Sequence, residues 1–551
     1  MKKNGLVYSQ SKEKADILNE QFCSVFTDED LSNLPDMGDS PHPTMPDFTI
    51  GVAGVEKLLK NLNTRKAAGP DGIPCRLLQS VAKELAPALT TLFTTSLENS
   101  QVPTDWKHAL VQPIYKKGDK STAANYRPIS LTSICCKLME HIVRAEVTTH
   151  LETNNILNDA QHGFRKRRSC ESQLILTTSD LAQELDKGGQ TDTVLLDFSK
   201  AFDRVPHQRL IMKLFYYGIK GKTLAWIQNF LAFRTQQVVV EGETSDIGQV
   251  TSGVPQGSVL GPTLFLIYID DLSKNIQSKV RLFADDTIVY RNIRNQQDTV
   301  VLQKDLKRLE EWEHLWQMDF NVAKCHVLSV TNKNRPVEPN YKLHGHTLEQ
   351  VSNAKYLGVE INEKLSWSTH IDAITAKANR TAAYIHRNLK GCPRKVQTQC
   401  YKTVVRPIVE YASPIWDPHQ QDQIHQLEMV QRRAARRICK NYDQRASASA
   451  MVKELELQTL QERRKINKVS MIYKIRNGEV DIPTEQHLTS VGRRTRGHQH
   501  KYHIPQSKKN CHLFSFFPSA VRLWNTLPES SHSAQSVDAF KASLSEWART
   551  A

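Results

Sequence analysis

The period of apolar and polar positions changes three times along this chain. Residues 1–50 hold one short amphipathic stretch and then a Pro-, Asp- and Ser-rich run that reads as a linker. Val55, Leu58, Leu59 and Leu62 recur at helical spacing up to the Gly69-Pro70 break, and the pattern stays mostly helical to about residue 190. From 191 to 365, short strand-like runs alternate with helical ones. Thr193-Val194-Leu195-Leu196-Asp197-Phe198 is a continuous apolar run closed by a charge, the pattern of a buried strand. Leu282-Phe283 and Thr287-Ile288-Val289-Tyr290 are strand formers on either side of Ala284-Asp285-Asp286. Asp favours turns, so this stretch predicts a tight hairpin with carboxylates at its tip. Between these strands, the glycines of Gly253-Val254-Pro255-Gln256-Gly257-Ser258 permit close backbone approach, and the apolar run 263–272 reads as the helix that follows. Leu302, Leu306, Leu309, Trp312 and Trp316 mark a helix with an apolar core stripe. Beyond 370 the pattern is helical again. Ile424, Leu427, Val430, Ala434 and Ile438 share one face, with Arg432, Arg433, Arg436 and Arg437 largely off it. Phe514, Phe516, Phe517, Val521, Leu523 and Trp524 predict a folded C-terminal motif.

Length and charge sharpen this outline. A chain of 551 residues is too long for one ordinary domain and predicts two to four units. No stretch approaches 18 apolar residues, and the first residues lack the apolar core of a secretory signal. The ten cysteines include no tight Cys-x-x-Cys pair and read as reduced intracellular thiols. The net charge is +15, and residues 371–551, with 30 basic and 15 acidic side chains, carry all of it. That asymmetry points to a polyanionic partner. The basic run Gly492–His500 reads as a loop whose histidines, even with Cys511 and His512, match no standard metal spacing.

The carboxylates decide the chemistry. Two charges about 4 Å apart repel by roughly 4 kcal/mol at an effective dielectric of 20. Asp285-Asp286 alone is compatible with a solvated turn. Asp197, at the end of a buried strand, is a third carboxylate in a matching setting, and a charge there is costly unless paired or bound to metal. Three carboxylates on neighbouring strand ends suit phosphoryl transfer with two Mg²⁺ ions. Asp197 and Asp285 are the first choices as direct ligands, with Asp286 beside them.

Leu196-Asp197-Phe198-Ser199-Lys200-Ala201-Phe202-Asp203, the Gly-Val-Pro-Gln-Gly-Ser block and Phe283-Ala284-Asp285-Asp286 occur in that order. The set resembles the reverse transcriptase palm of non-LTR (LINE-type) retrotransposons, near the jockey and CR1 groups. Lys66–Pro74, Asn125–Leu131 and Gln161–Arg165 resemble fingers segments of that family, and Lys355-Tyr356-Leu357-Gly358-Val359 its primer grip. The stretch Tyr401–Ala412 is also similar to LINE proteins.

The resemblance implies an α+β right-hand polymerase with helical fingers, an antiparallel-sheet palm and an α-helical thumb and C-terminal region. The implied divisions are an extension and linker over 1–50, fingers over 51–190, palm over 191–365, thumb over 366–480, and a basic loop with C-terminal motif over 481–551. It also implies an RNA-directed DNA polymerase that extends a DNA primer 3′-hydroxyl on an RNA template using dNTPs and two Mg²⁺ ions, for which Mn²⁺ can substitute. Asp197, Asp285 and Asp286 would hold metal, and Lys324 would act as general acid to pyrophosphate. Phe198, Phe202, Gln256, Gly257, Arg127 and Arg165 would border the nucleotide or template, with Phe202 selecting deoxynucleotides by excluding a 2′-hydroxyl. Tyr356, Leu357 and Gly358 would hold the primer terminus, and Arg432, Arg433, Arg436 and Arg437 the nucleic-acid backbone.

The implied protein works inside the cell, at nuclear DNA during integration, and not in a membrane. The alternative is a catalytically silent, domesticated or truncated nucleic-acid-binding protein. LINE proteins of these groups carry an endonuclease ahead of the polymerase. Only about 50 residues precede the fingers here, below the ~100–150 of a usual domain. The expectation is therefore a fragment, a truncated copy, or an enzyme served by a separate endonuclease.

Overall fold

Two five-stranded sheets organise the chain, one in each of two units. The computed structural model describes residues 1–443, 445–491, 500–544 and 546–550. The first unit comprises Met1–Phe164, Asp197–Ile276 and Lys307–Asn321; the second comprises Arg165–Leu196, Gln277–Leu306 and Val322–Ala551.

In the first unit, strand His108–Tyr115 pairs antiparallel with Tyr126–Leu131 and parallel with Arg234–Val240, which also pairs with Gly248–Val250. Helix Ser11–Cys23 lays Ile17, Leu18 and Phe22 against Val111 and Val238 of this sheet. The helical pattern expected over 55–190 is thus interrupted by strands. Pro113 lies opposite Pro128 in their ladder, so each strand carries the residue that most weakens a strand reading.

The Pro-, Asp- and Ser-rich run after this helix is docked within the unit rather than a free linker. Glu29 accepts the backbone N–H groups of Gln208 and Arg209, both at 2.9 Å, at the start of helix His207–Tyr216. The Arg209 side chain, 2% exposed, pairs with Glu29 at 3.3 Å and donates to the carbonyls of Asp30 and Asn33. Composition hides this because much of the hold comes from the Glu29 carboxylate and the carbonyls of Asp30 and Asn33, whose partner Arg209 lies far along the chain.

The second unit contains the sheet predicted around the carboxylates. Strand Gln190–Leu196 lies between Asp286–Asn292 and His326–Thr331, antiparallel to both, and Lys279–Phe283 forms a hairpin with Asp286–Asn292. The central strand is nearly all buried, as a continuous apolar run requires. Helix Cys170–Asp186, opened by a capping box at Ser169, brings Leu174, Ile175 and Leu181 into one core with Ile288, Tyr290 and Leu328.

That core continues into the helices Ser368–Asn388, Gln421–Cys439 and Leu460–Arg476. Helix Phe516–Trp524 joins it with Trp524 fully buried, so the aromatic C-terminal motif is folded as expected. The basic run from Gly492 to Gln499 lies outside the described residues. Among the described residues, no helix is long and apolar enough to cross a membrane.

Candidate active site

In the second unit, the ladder pairs Phe283 with Asp286, leaving Ala284 and Asp285 as the hairpin loop. Ala284 is 5% exposed and adopts a left-handed φ of 52°, a conformation that costs a non-glycine residue roughly 1–3 kcal/mol. Such strain at a hairpin tip marks a place where the surrounding structure dictates the backbone. Asp285 is half-buried and Asp286 exposed. Leu196 pairs with Thr287, and Asp197 is the next residue of the chain after Leu196. Lys324, exposed, lies two residues before His326, whose partner is Leu195. Asp285, Asp286 and Lys324 thus stand at one end of the second unit's sheet, while Asp197 belongs to the first unit.

The segment expected to be the primer grip is a second hairpin of this unit, Asn353–Tyr356 with Val359–Asn362. Its loop takes φ of 45° at Leu357 and 86° at Gly358. Tyr411 donates its hydroxyl to the Leu357 carbonyl at 2.8 Å, and a Cβ on Gly358 would meet the Tyr411 ring at 3.0 Å. Tyr356 is buried, receives a bond from Gln173 and has its pKa raised, first by burial and further by the charge of Asp286. The hairpin tip and Tyr356 are thus within electrostatic reach of each other. Tyr411 lies in the stretch the sequence singles out, but nothing in the pattern marks the hydroxyl's role.

The four arginines divide on helix Gln421–Cys439. Arg433 is exposed, Arg432 half-buried, and Arg436 donates to the carbonyls of Asp443 and Ala446, bracing the loop that follows. Arg437 lines an apolar groove with Tyr401 and Ile438.

In the first unit, Gln256 and Gly257 lie in the glycine-rich loop and Phe202 lies beside it. Phe202 is half-buried and stacked on Phe265 at 4.4 Å, with Phe164 edge-on at 6.3 Å. Phe198 differs from its expected nucleotide contact. It is 3% exposed and stacked on Phe320 at 4.3 Å, so its ring supports the backbone of Asp197 rather than offering a surface to a ligand. The Asp197 carbonyl accepts the Asn321 N–H at 2.7 Å beside that stack.

Gln256 donates to Asp203 at 2.7 Å and accepts the Ser130 N–H at 2.7 Å. Gly257, at φ 118°, lies so close to Ser130 that a Cβ would fall 2.4 Å from its carbonyl oxygen. Gly253 is as tight, with a Cβ position 2.6 Å from the Asp203 carbonyl. Burial raises the pKa of Asp203, opposed by the Gln256 bond and by the charges of Lys200, Lys116 and Arg127. Arg127, exposed on its strand, thus faces the loop's carboxylate. Arg165 falls in the second unit, so these two candidate arginines belong to different units. Asp203 stands in a quoted motif, yet its role as the Gln256 acceptor has no sequence signal. Phe22 and Phe26 of the N-terminal region line a small open cleft with Phe202, Gly253 and Gln256.

Residues 114–361 match the family described as reverse transcriptase (RNA-dependent DNA polymerase). The chain carries a reverse transcriptase domain. That domain lies within wider similarity to proteins of mobile elements. The chain is 27% identical over 409 residues to the RNA-directed DNA polymerase from mobile element jockey of Drosophila melanogaster, covering 72% of this chain and 44% of that protein. It is 28% identical over 444 residues to the probable RNA-directed DNA polymerase from transposon BS of the same species, covering 76% and 48%. It is also 26% identical over 278 residues to the Pol polyprotein of the type-1 element R2 of Popillia japonica, covering 48% and 37%. The chain spans just under half the length of the first two relatives. The reverse transcriptase domain thus has jockey-type relatives, the group its motifs resemble.

Proposed function

We propose that this chain is an RNA-directed DNA polymerase of a non-LTR retrotransposon, extending a DNA primer 3′-hydroxyl on an RNA template. The register that sends Leu196 and Thr287 side by side carries the reading, because Asp197 follows one strand and Asp285-Asp286 precede the other. Carboxylates are the hard oxygen donors Mg²⁺ prefers, and Asp197, Asp285 and Asp286 are the residues that would hold it. Among the described residues, no group of three His, Cys, Asp or Glu side chains stands arranged to hold a metal ion. Bound there, the metal would neutralise charge on the transferring phosphoryl group.

The chain's own residues supply orientation. The 3′-hydroxyl attacks the α-phosphate of a dNTP and pyrophosphate leaves, a reaction in which positioning and electrostatics supply most of the acceleration. Gln256 and Gly257 border the nucleotide, and the stacking of Phe202 on Phe265 keeps its ring stiff enough to exclude a 2′-hydroxyl. Lys324 donates a proton to the leaving pyrophosphate. Tyr356, Leu357 and Gly358 hold the primer end, while Arg127, Arg165 and the arginines of the 421–439 helix meet phosphates of the nucleotide, template or duplex.

Primer extension on an RNA template with dNTPs and Mg²⁺ tests this, run beside Asp285→Asn. The wild type should extend the primer. The variant should lose at least ~10³-fold in rate, in line with removal of a main electrostatic group, while binding template–primer unchanged. Extension retained by Asp285→Asn would overturn the mechanism. Salt-sensitive binding without extension by the wild type would leave a binding protein only.

A further inference from the structure

Glu140 lies on helix Ile134–Thr153 and is fully buried. One carboxylate oxygen accepts the N–H of Val259 at 2.7 Å and of Leu260 at 3.0 Å. The other receives the Cys136 thiol at 3.7 Å. Burial pushes the Glu140 pKa up, while the two amides and the charges of Arg234 and Lys137 oppose that rise. Arg234 is itself 2% exposed, so this is a charged cluster inside the unit.

A buried charge is a poor way to build stability, because an apolar side chain of similar volume would fill the same helix face without the desolvation penalty. What a carboxylate adds here is directional. Val259 and Leu260 are the last residues before helix Gly261–Ile269, and Gln256 and Gly257 stand just upstream. The loop's near end is fixed by the bonds Gly253 N–H to Val205 O and Val254 N–H to Phe202 O, at 2.8 and 2.7 Å. Its middle is fixed by Ser130 and Asp203. Its far end is held by Glu140, through two amides on one oxygen.

We propose that Glu140 is a positioning residue that holds the 253–260 loop in the geometry that receives the incoming nucleotide, a role that rests on the polymerase reading. Single-nucleotide insertion by Glu140→Gln should show KM for dNTP raised about tenfold, the scale of a lost hydrogen bond to a charged group. Its kcat and its template–primer affinity should stay near wild type. Glu140→Asp, which keeps the charge on a shorter stem, should fall between the two. A fall in kcat at unchanged KM, tracking a lower melting temperature, would mean that Glu140 only stabilises the fold and would overturn the proposal.

Hydrogen exchange gives a readout that needs no activity. In Glu140→Gln the amides of 253–260 should exchange faster while the Arg234–Val240 strand keeps its protection; uniform acceleration would overturn the proposal. If Glu140→Gln does not fold, Glu140→Asp is read in its place by the same two criteria. A wild type that fails to extend primers counts against the polymerase reading alone, and the exchange experiment still decides whether Glu140 holds the loop.

Discussion

The 253–260 loop and the Leu357-Gly358 turn solve the same problem in opposite ways. Both need backbone with positive φ, and both border residues proposed to meet substrate. The loop is enclosed: Gly253 and Gly257 press on backbone carbonyls at distances no Cβ could occupy, and bonds from separate elements fix its two ends and its middle. The turn is open, and the hydroxyl of Tyr411, a residue 43% exposed, supports it from outside. Contacts with backbone cannot yield, whereas a tyrosine ring at a surface can shift. Under the proposed reading, the nucleotide side is built for fixed shape and the primer side for adjustment, which a terminus that advances after every addition would require.

The sharpest way to break this contrast is Gly257→Ala. Its Cβ would lie 2.4 Å from the Ser130 carbonyl, so the loop must move. Extension should fall by at least about 100-fold, the equivalent of roughly 3 kcal/mol of misplacement, with template–primer binding retained. Gly358→Ala meets a ring at 3.0 Å instead, and an effect on the primer KM of only about 5–30-fold is expected in extension assays, from the ~1–2 kcal/mol of a left-handed alanine. Equal losses in the two variants would remove the distinction.

Tyr411→Phe should be milder still. It deletes one neutral hydrogen bond worth about 1 kcal/mol, so primer use should weaken about fivefold in a titration of template–primer. A last test concerns the scaffold on the primer side. His370 is 2% exposed, packs on Trp416 and has its pKa lowered to about 4, by burial and then by Lys355. A histidine depressed in the folded state binds fewer protons there than when unfolded. Its contribution is therefore full above the unfolded value near 6.5 and is lost as pH falls toward 4. Melting of the protein between pH 7 and pH 4 should lose up to roughly 3 kcal/mol from this group, and His370→Asn should flatten that part of the profile.

What the sequence disclosed follows from where its signals are local. The hairpin at Ala284-Asp285 is legible because strand formers flank turn formers within nine residues, and the central strand because Thr193-Val194-Leu195-Leu196 is an unbroken run of strand-compatible residues. The aromatic C-terminal motif is legible for the same reason. Glu140 is not, since a lone acid in a helical pattern looks like a solvated position. Arg436 reads as a free basic side chain although it closes a loop, because its acceptors are carbonyls that no residue type announces. The docked 26–46 region reads as a linker because Arg209 and Glu29 are about 180 residues apart. The sheet of the first unit is hidden by prolines in both arms of one hairpin.

That sheet also sets a schedule for synthesis. His108 and Thr235 are neighbours in the parallel ladder and stand 127 residues apart in the chain. Strand Tyr126–Leu131 emerges soon after and covers one edge of His108–Tyr115. The other edge waits for Arg234–Val240, which at 5–20 residues per second takes roughly 6–25 s to be made. Through that interval the nascent chain presents an unpaired strand edge, the kind of surface on which two growing copies can pair with each other instead of with themselves. Translation speed across residues 132–240 is thus a determinant of how much correctly paired protein is obtained from each message.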